Sequence, residues 1–274
     1  MLLVMRPANK AEDPLRVGVA TILFEENWQA ESRDHDRRLD LMGQILDAAD
    51  RHRAGLIVLP AGFYLVSDEK QRAQVVKRAR ASMTGRRTAV LWGVDVRQSG
   101  GIGKAGHRDR DPVLPFYLYL RDESGALLLD GARQLAYCST QAVNVERLPG
   151  DRVVSVAGRS IGVLACGELL ARVYGRSRAT IHVRGIVHNA SIVVDAAHAD
   201  LKVRGLARWT RAVEECSGSQ RSRVVVAQHL GRSRLRLKMY ADDGKPPQVA
   251  SSAARRAHQH RESDRRFALD IYEL

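Results

Sequence analysis

The stretch Ser160–Leu170, SIGVLACGELL, decides how the rest of the chain is read. Ile161, Val163, Leu164 and Ala165 form a short apolar run of the kind a fully buried strand shows. Cys166 and Gly167 stop the run, and Glu168 follows. A thiol at the C-terminal end of a buried strand, on a glycine turn, sits where open α/β sheets gather their chemistry. The same residues also suit a plain core strand whose cysteine is only a small hydrophobe. The flanking chain has to separate the two.

Upstream, Asp151–Val156, a turn at Gly158 and Ser160–Ala165 read as a hairpin leading into Cys166. Phe116–Arg121, a turn at Asp122–Gly125 and Ala126–Asp130 read as another. Arg16–Leu23, Leu56–Leu59 and Thr88–Val96 are β-rich runs. Between them, Leu39, Met42, Leu46 and Ala49 put an apolar face on a helix over Asp34–His52 that Gly55 ends, and Asp68–Arg80 reads as a second, basic helix. Downstream come an arginine-rich segment (Arg172, Arg176, Arg178, Arg184), a strand over Val187–Asp195, and a helix over Leu201–Cys216. Strands over Arg223–Ala227, Leu235–Tyr240 and Phe267–Tyr272 complete the series. Residues 1–14 read as a loose arm and 242–264 as a mobile basic segment. Helices interspersed among strands, without a clean linker, predict one α/β layered domain over 15–274.

The chain has 274 residues, 45% of them hydrophobic, enough for a substantial core. Lys+Arg number 44 against 31 Asp+Glu, a formal net charge of +13. That balance favours an acidic partner, whether an anionic metabolite, an anionic surface or nucleic acid. Aromatics at 5% argue against a base-stacking platform, so nucleic acid is the less favoured of these. Cys138, Cys166 and Cys216 fit neither a disulfide framework nor a metal site, which predicts reduced thiols, a cytoplasmic location and no metal. No apolar run approaches membrane-spanning length. Gly101–Gly106, GIGKAG, fits a dinucleotide-binding string, but His107–Pro112 does not readily open the helix that such a site needs. Gln98 and Ala105 likewise exclude a P-loop, and no cofactor is expected.

In order and spacing these segments resemble the nitrilase superfamily, the carbon–nitrogen hydrolases, from about Leu15 to Leu274. Leu56–Pro60 is similar to the family strand that ends in Pro-Glu. Val145–Asp151 resembles the Glu…Pro-Gly segment, and Ser160–Glu168 the nucleophile strand. Ser191–His198 resembles the next strand and its pocket-lining turn. Arg211–Glu215 with Val224–Gln228 resembles the helix and strand that follow. The resemblance implies an α-β-β-α sandwich, assembly into a homodimer or larger homo-oligomer, and a Glu-Lys-Cys mechanism. In that mechanism a thiolate attacks an amide or nitrile carbon, a glutamate takes the proton and a lysine stabilises the oxyanion.

Cys166 fits the nucleophile position, and Glu146 matches the second family glutamate. Two positions depart. Ala61 follows Pro60 where the family has its base, and Gly131–Tyr137 has no lysine, leaving Arg133 and Gln134 nearest. General-base assistance is worth about 10²–10⁴ in rate, and an oxyanion donor about 10²–10³ more. The resemblance puts His198 at the pocket wall, where it could pair with Cys166. Glu168 is a carboxylate near the thiol whose family counterpart is mainly structural. His229 and Asp95 also end strands. Arg172 and Arg176 are expected on the pocket rim, where they could hold an anionic small-molecule substrate. The expectation is therefore a carbon–nitrogen hydrolase with an altered triad. The alternatives are a catalytically degenerate ligand-binding or assembly module and a basic nucleic-acid-associated protein.

Overall fold

The computed structural model describes residues 13–23, 32–96, 116–133, 152–165, 168, 178–196, 223–230, 255–261 and 267–274. The expected helix over 201–216 and strand over 235–240 lie outside these residues, as does the glycine-rich loop at 98–114. β1 (Arg16–Leu23), α1 (Ser32–Arg51), β2 (Leu56–Val58), β3 (Tyr64–Val66), α2 (Glu69–Ser82) and β4 (Ala89–Val96) open the chain. β5 (Phe116–Arg121), β6 (Leu127–Arg133), β7 (Val153–Val156) and β8 (Arg159–Ala165) follow as two hairpins. Then come α3 (Arg178–Asn189), β9 (Ile192–Ala196), β10 (Arg223–Leu230), β11 (Arg255–Arg261) and β12 (Phe267–Glu273).

One part of the sheet runs from β6 through β5, β4 and β2 to β1, with β12 and β11 beyond it. The other part is β10-β9-β8-β7. They join where Thr21–Leu23 of β1 runs parallel to Gln228–Leu230 of β10. β9 packs across the gap onto β2 and β4, which closes a two-layer sandwich. One core lies between the layers, with Val17, Val19, Val58, Leu91, Leu118, Val163 and Val194 in it. A second lies outside, where Met42, Ile45, Val75 and Ala79 of α1 and α2 cover Trp92, Tyr117 and Tyr119. On the far side Ile186 of α3 packs on Gly162 of β8. The result is the helix-sheet-sheet-helix order that the family resemblance implies.

Local chemistry sets the boundaries. Asp68 caps α2, accepting the Gln71 N–H at 2.7 Å, while Gln71 Oε1 accepts the Ser67 N–H at 2.5 Å, a reciprocal cap. The β7–β8 turn takes positive φ at Ala157 (47°) and Gly158 (76°), the twist that suits a tight hairpin. α1 ends through Arg53, whose φ is 54°, with the Ala54 N–H bonded to the Ala49 carbonyl at 3.0 Å, so Gly55 is not the terminator. Gly55 instead allows close packing, since a Cβ there would lie 2.7 Å from Leu15 Cδ1.

Three further points differ from the sequence reading. Residues 187–195 are not one strand: α3 runs to Asn189, and only Ile192–Ala196 is extended. The β-branched residues of IVHNASIVV mask the break, although Val183, Ile186, Val187 and Ala190 are buried at helical spacing. Within the segment 242–264, expected to be mobile, 255–261 instead forms β11, antiparallel to β12, and the rest lies outside the described residues. β3, only Tyr64–Val66, was not expected at all.

Candidate active site

All the strands of the central run point the same way. β1, β2 and β4 are mutually parallel, and β1, β10, β9 and β8 continue that sense. Their C-terminal ends therefore gather on one rim of the sandwich. Strand alternation decides which residues face inward there. Ala165 ends β8 and Ala196 ends β9, and both lie in the inter-sheet core together with Ala61. Cys166 follows Ala165 directly in sequence.

The Ala61 backbone is unusual. Val58 pairs with Leu91 and Tyr64 with Val94, so residues 59–63 span a stretch that β4 covers with Trp92 and Gly93 alone. The chain leaves the ladder there, turning at Gly62 (φ 57°), and carries Ala61 into the inter-sheet core. β4 packs tightly against this excursion. A Cβ on Gly93 would lie 2.9 Å from the Ala61 Cα and 2.6 Å from Phe116 Cε2. The excursion that presents position 61 to the interior is intact, but its side chain is a fully buried methyl that accepts no proton.

A different carboxylate lies on this face. Ala89 and Leu91 belong to the inner core and Val90, Trp92 and Val94 to the outer one, so Gly93 and Asp95 continue the inner face. Asp95 pairs in register with Phe116, an inner-core residue, and is half-buried at the rim. The sequence marks Asp95 only as a strand end. Its signal was the alternation through AVLWGVDV, which puts the acid on the face of Gly93.

Glu168 has a defined task. It is fully buried and takes both Nη groups of the equally buried Arg152, at 2.8 and 2.9 Å. Its Oε2 also accepts the Ala165 N–H at 2.7 Å. Glu168 thus ties the end of β8 to Arg152, the residue just before β7, and Cys166 and Gly167 stand in sequence between Ala165 and Glu168. Sequence reading finds Glu168 but not its partner, because Arg152 is remote in sequence and looks like one more surface arginine.

Arg133 stands on the other side of the sheet. Ala132 faces the inner core, whereas the Arg133 guanidinium lies 5.4 Å from the centroid of Tyr117, an outer-face ring. Glu146, Gln134, Cys166, Arg172, Arg176 and His198 lie outside the described residues, as does the side chain of His229. Among the described residues, no group of His, Cys, Asp and Glu could hold a metal ion, and no helix is long and apolar enough to cross a membrane.

This architecture is the α-β-β-α fold of the nitrilase superfamily. No protein-family model matches the chain and no curated protein matches it. Solved structures do. A doubly substituted amidase from Nesterenkonia sp. AN1 (glutamate to glutamine, cysteine to alanine), in complex with acrylamide, is 17% identical with a TM-score of 0.54. That match covers 80% of this chain and 78% of that one. A cysteine-to-serine variant of the same amidase, described as from the nitrilase superfamily, is 18% identical with a TM-score of 0.52, over 81% and 79% of the two chains. A glutamate-to-leucine variant with the acetamide moiety of fluoroacetamide covalently added at its active-site cysteine is 18% identical. Its TM-score is 0.54, over 80% and 78%.

Proposed function

We propose that the protein is a thiol-dependent carbon–nitrogen hydrolase for amide or nitrile-type substrates, with Cys166 as nucleophile and Asp95 as proton acceptor in place of the glutamate missing at Ala61. The observation that carries this reading is the rim. The ends of β2, β4 and β8 converge there, and Asp95 faces inward beside the Ala61 excursion. The fold of the Nesterenkonia amidase supports it, and in that protein a cysteine accepts the acetamide moiety although a glutamate has been replaced by leucine.

In this scheme the Cys166 Sγ–H proton passes to the acceptor carboxylate and the thiolate attacks the amide carbon. The tetrahedral oxyanion collapses, the C–N bond breaks and the amine leaves with the proton. Water then attacks the thioester, giving its proton to the same carboxylate, and the thiol is regenerated. Glu168, held by Arg152, is a positioning residue. Arg172 and Arg176 take an anionic substituent of the substrate, and the chain assembles as a homo-oligomer.

The test is ammonia release from short aliphatic amides by the wild-type protein, Cys166→Ala and Asp95→Asn. Wild-type turnover that Cys166→Ala abolishes, and that Asp95→Asn lowers by about 10²-fold or more, is expected. Undiminished activity in Cys166→Ala refutes the assignment. A second reading rests on the methyl of Ala61 in the inter-sheet core. It makes the chain a degenerate member of the fold that binds a ligand or serves assembly, and absence of turnover on every amide and nitrile tried would favour it.

A further inference from the structure

A groove of about 600 Å³ runs between α2 and the β5–β6 hairpin, on the outer face of the sheet and away from the rim. Its volume is in the range of small-molecule sites. Val76, Ala73 and the Tyr119 ring supply apolar surface, and Lys77, Arg80 and Arg121 supply charge.

Arg121 is the informative residue. It is only 5% exposed, yet no carboxylate among the described residues pairs with it. Its Nη1 and Nη2 each donate to the Arg86 carbonyl at 3.4 Å, long bonds to a neutral acceptor. A buried guanidinium without a counter-charge is costly, and such groups are usually paired. Arg72, also in the groove, is already matched by Glu69 at 2.5 Å and bonded to the Tyr119 hydroxyl. Lys77 and Arg80 are exposed on α2 and make no ion pair among the described residues. Among the described residues the one acid lining the groove is Asp130. Three cations against one carboxylate leave two positive charges.

We infer that this groove binds the dianionic phosphate of a small phosphate monoester. A phosphate monoester carries about −1.5 to −2 charge near neutral pH, which matches the surplus. Its oxygens can accept from the exposed Arg80 guanidinium, and from Arg121 in exchange for its long bonds to the Arg86 carbonyl. The apolar surface of Val76, Ala73 and Tyr119 takes the organic part of the ester. The site is independent of the catalytic reading, since none of its residues lies on the inner face.

The test is calorimetric titration of the full-length protein with phenyl phosphate and with inorganic phosphate, at constant ionic strength set with chloride. Saturable binding of both is expected, with phenyl phosphate the tighter. The exposed pair Lys77→Ala/Arg80→Ala, which leaves the core untouched, should weaken it by about tenfold or more, equivalent to about 1.4 kcal/mol. Cys166→Ala should leave binding unchanged, which separates this site from the thiol. Absence of phosphate binding above the chloride background overturns the inference, as does full binding by the double variant. Tighter binding of a phosphodiester oligonucleotide than of phenyl phosphate, falling steeply with salt, also overturns it, because the groove would then be a nucleic-acid surface.

Discussion

Replacing Glu168 with glutamine tests whether the residue beside Cys166 holds the site together or takes part in the chemistry. Glu168 and Arg152 are both fully buried and joined by bonds of 2.8 and 2.9 Å. Glutamine keeps the shape and can still accept the Ala165 N–H, but it removes the charge and turns an N–H₂ group toward a guanidinium. Breaking one side of a buried ion pair costs about 3–5 kcal/mol, because the surviving charge stays buried. A chain of this size loses about 2–4 °C in Tm per kcal/mol, so Glu168→Gln should melt roughly 6–20 °C below wild type. The double variant Arg152→Met/Glu168→Leu removes both charges. It should recover much of that loss, less about 1–3 kcal/mol for the orphaned Ala165 N–H. Differential scanning calorimetry of the three proteins reads both numbers. A Glu168→Gln protein that melts within about 2 °C of wild type and still loses amide hydrolysis would refute the clamp and make Glu168 a reacting group.

Ala61→Glu places a carboxylate on an excursion that points inward. In the Asp95→Asn background it should recover part of the loss of about 10²-fold or more in amide hydrolysis. A folded double variant with no recovery would show that a carboxylate at position 61 does not substitute for Asp95. Gly162→Ala puts a Cβ 2.8 Å from Ala190 Cβ and 3.2 Å from the Ile186 carbonyl. It should cost about 1–3 kcal/mol by denaturant titration, against the gain an open site would give. Asp68→Ala removes the α2 cap and should lower Tm at neutral pH. Because the Gln71 N–H holds the Asp68 carboxyl below its usual range, this stabilisation is present in full above about pH 3.9, the unfolded value. It disappears as pH falls through the lower folded value, so wild-type and variant melting temperatures should converge in acid.

The sequence was most legible where a segment's own periodicity decides its structure. β1 has the bounds its alternation predicts, β5 has those of the expected hairpin arm, and the hairpin into Cys166 closes on the Gly158 turn as expected. Segments that depend on a partner were not legible. β11, RRAHQHR, has no apolar alternation and is ordered by its ladder to β12. The boundary of α3 was hidden because its β-branched residues run on into those of β9. At the candidate site the motif order singles out Cys166, Glu168 and Ala61. It does not reveal Arg152, which meets Glu168 through space, or Asp95, whose proposed role depends on which face of β4 it occupies.

The proposed mechanism requires Cys166 to be an activated thiol. Limited reaction of the native protein with fluoroacetamide at pH 7, followed by peptide mass spectrometry, tests it directly. An acetamide adduct on Cys166 is expected well before Cys138 or Cys216, with slower labelling in Asp95→Asn. Equal labelling of the three cysteines, or none at Cys166 until the protein unfolds, would contradict it.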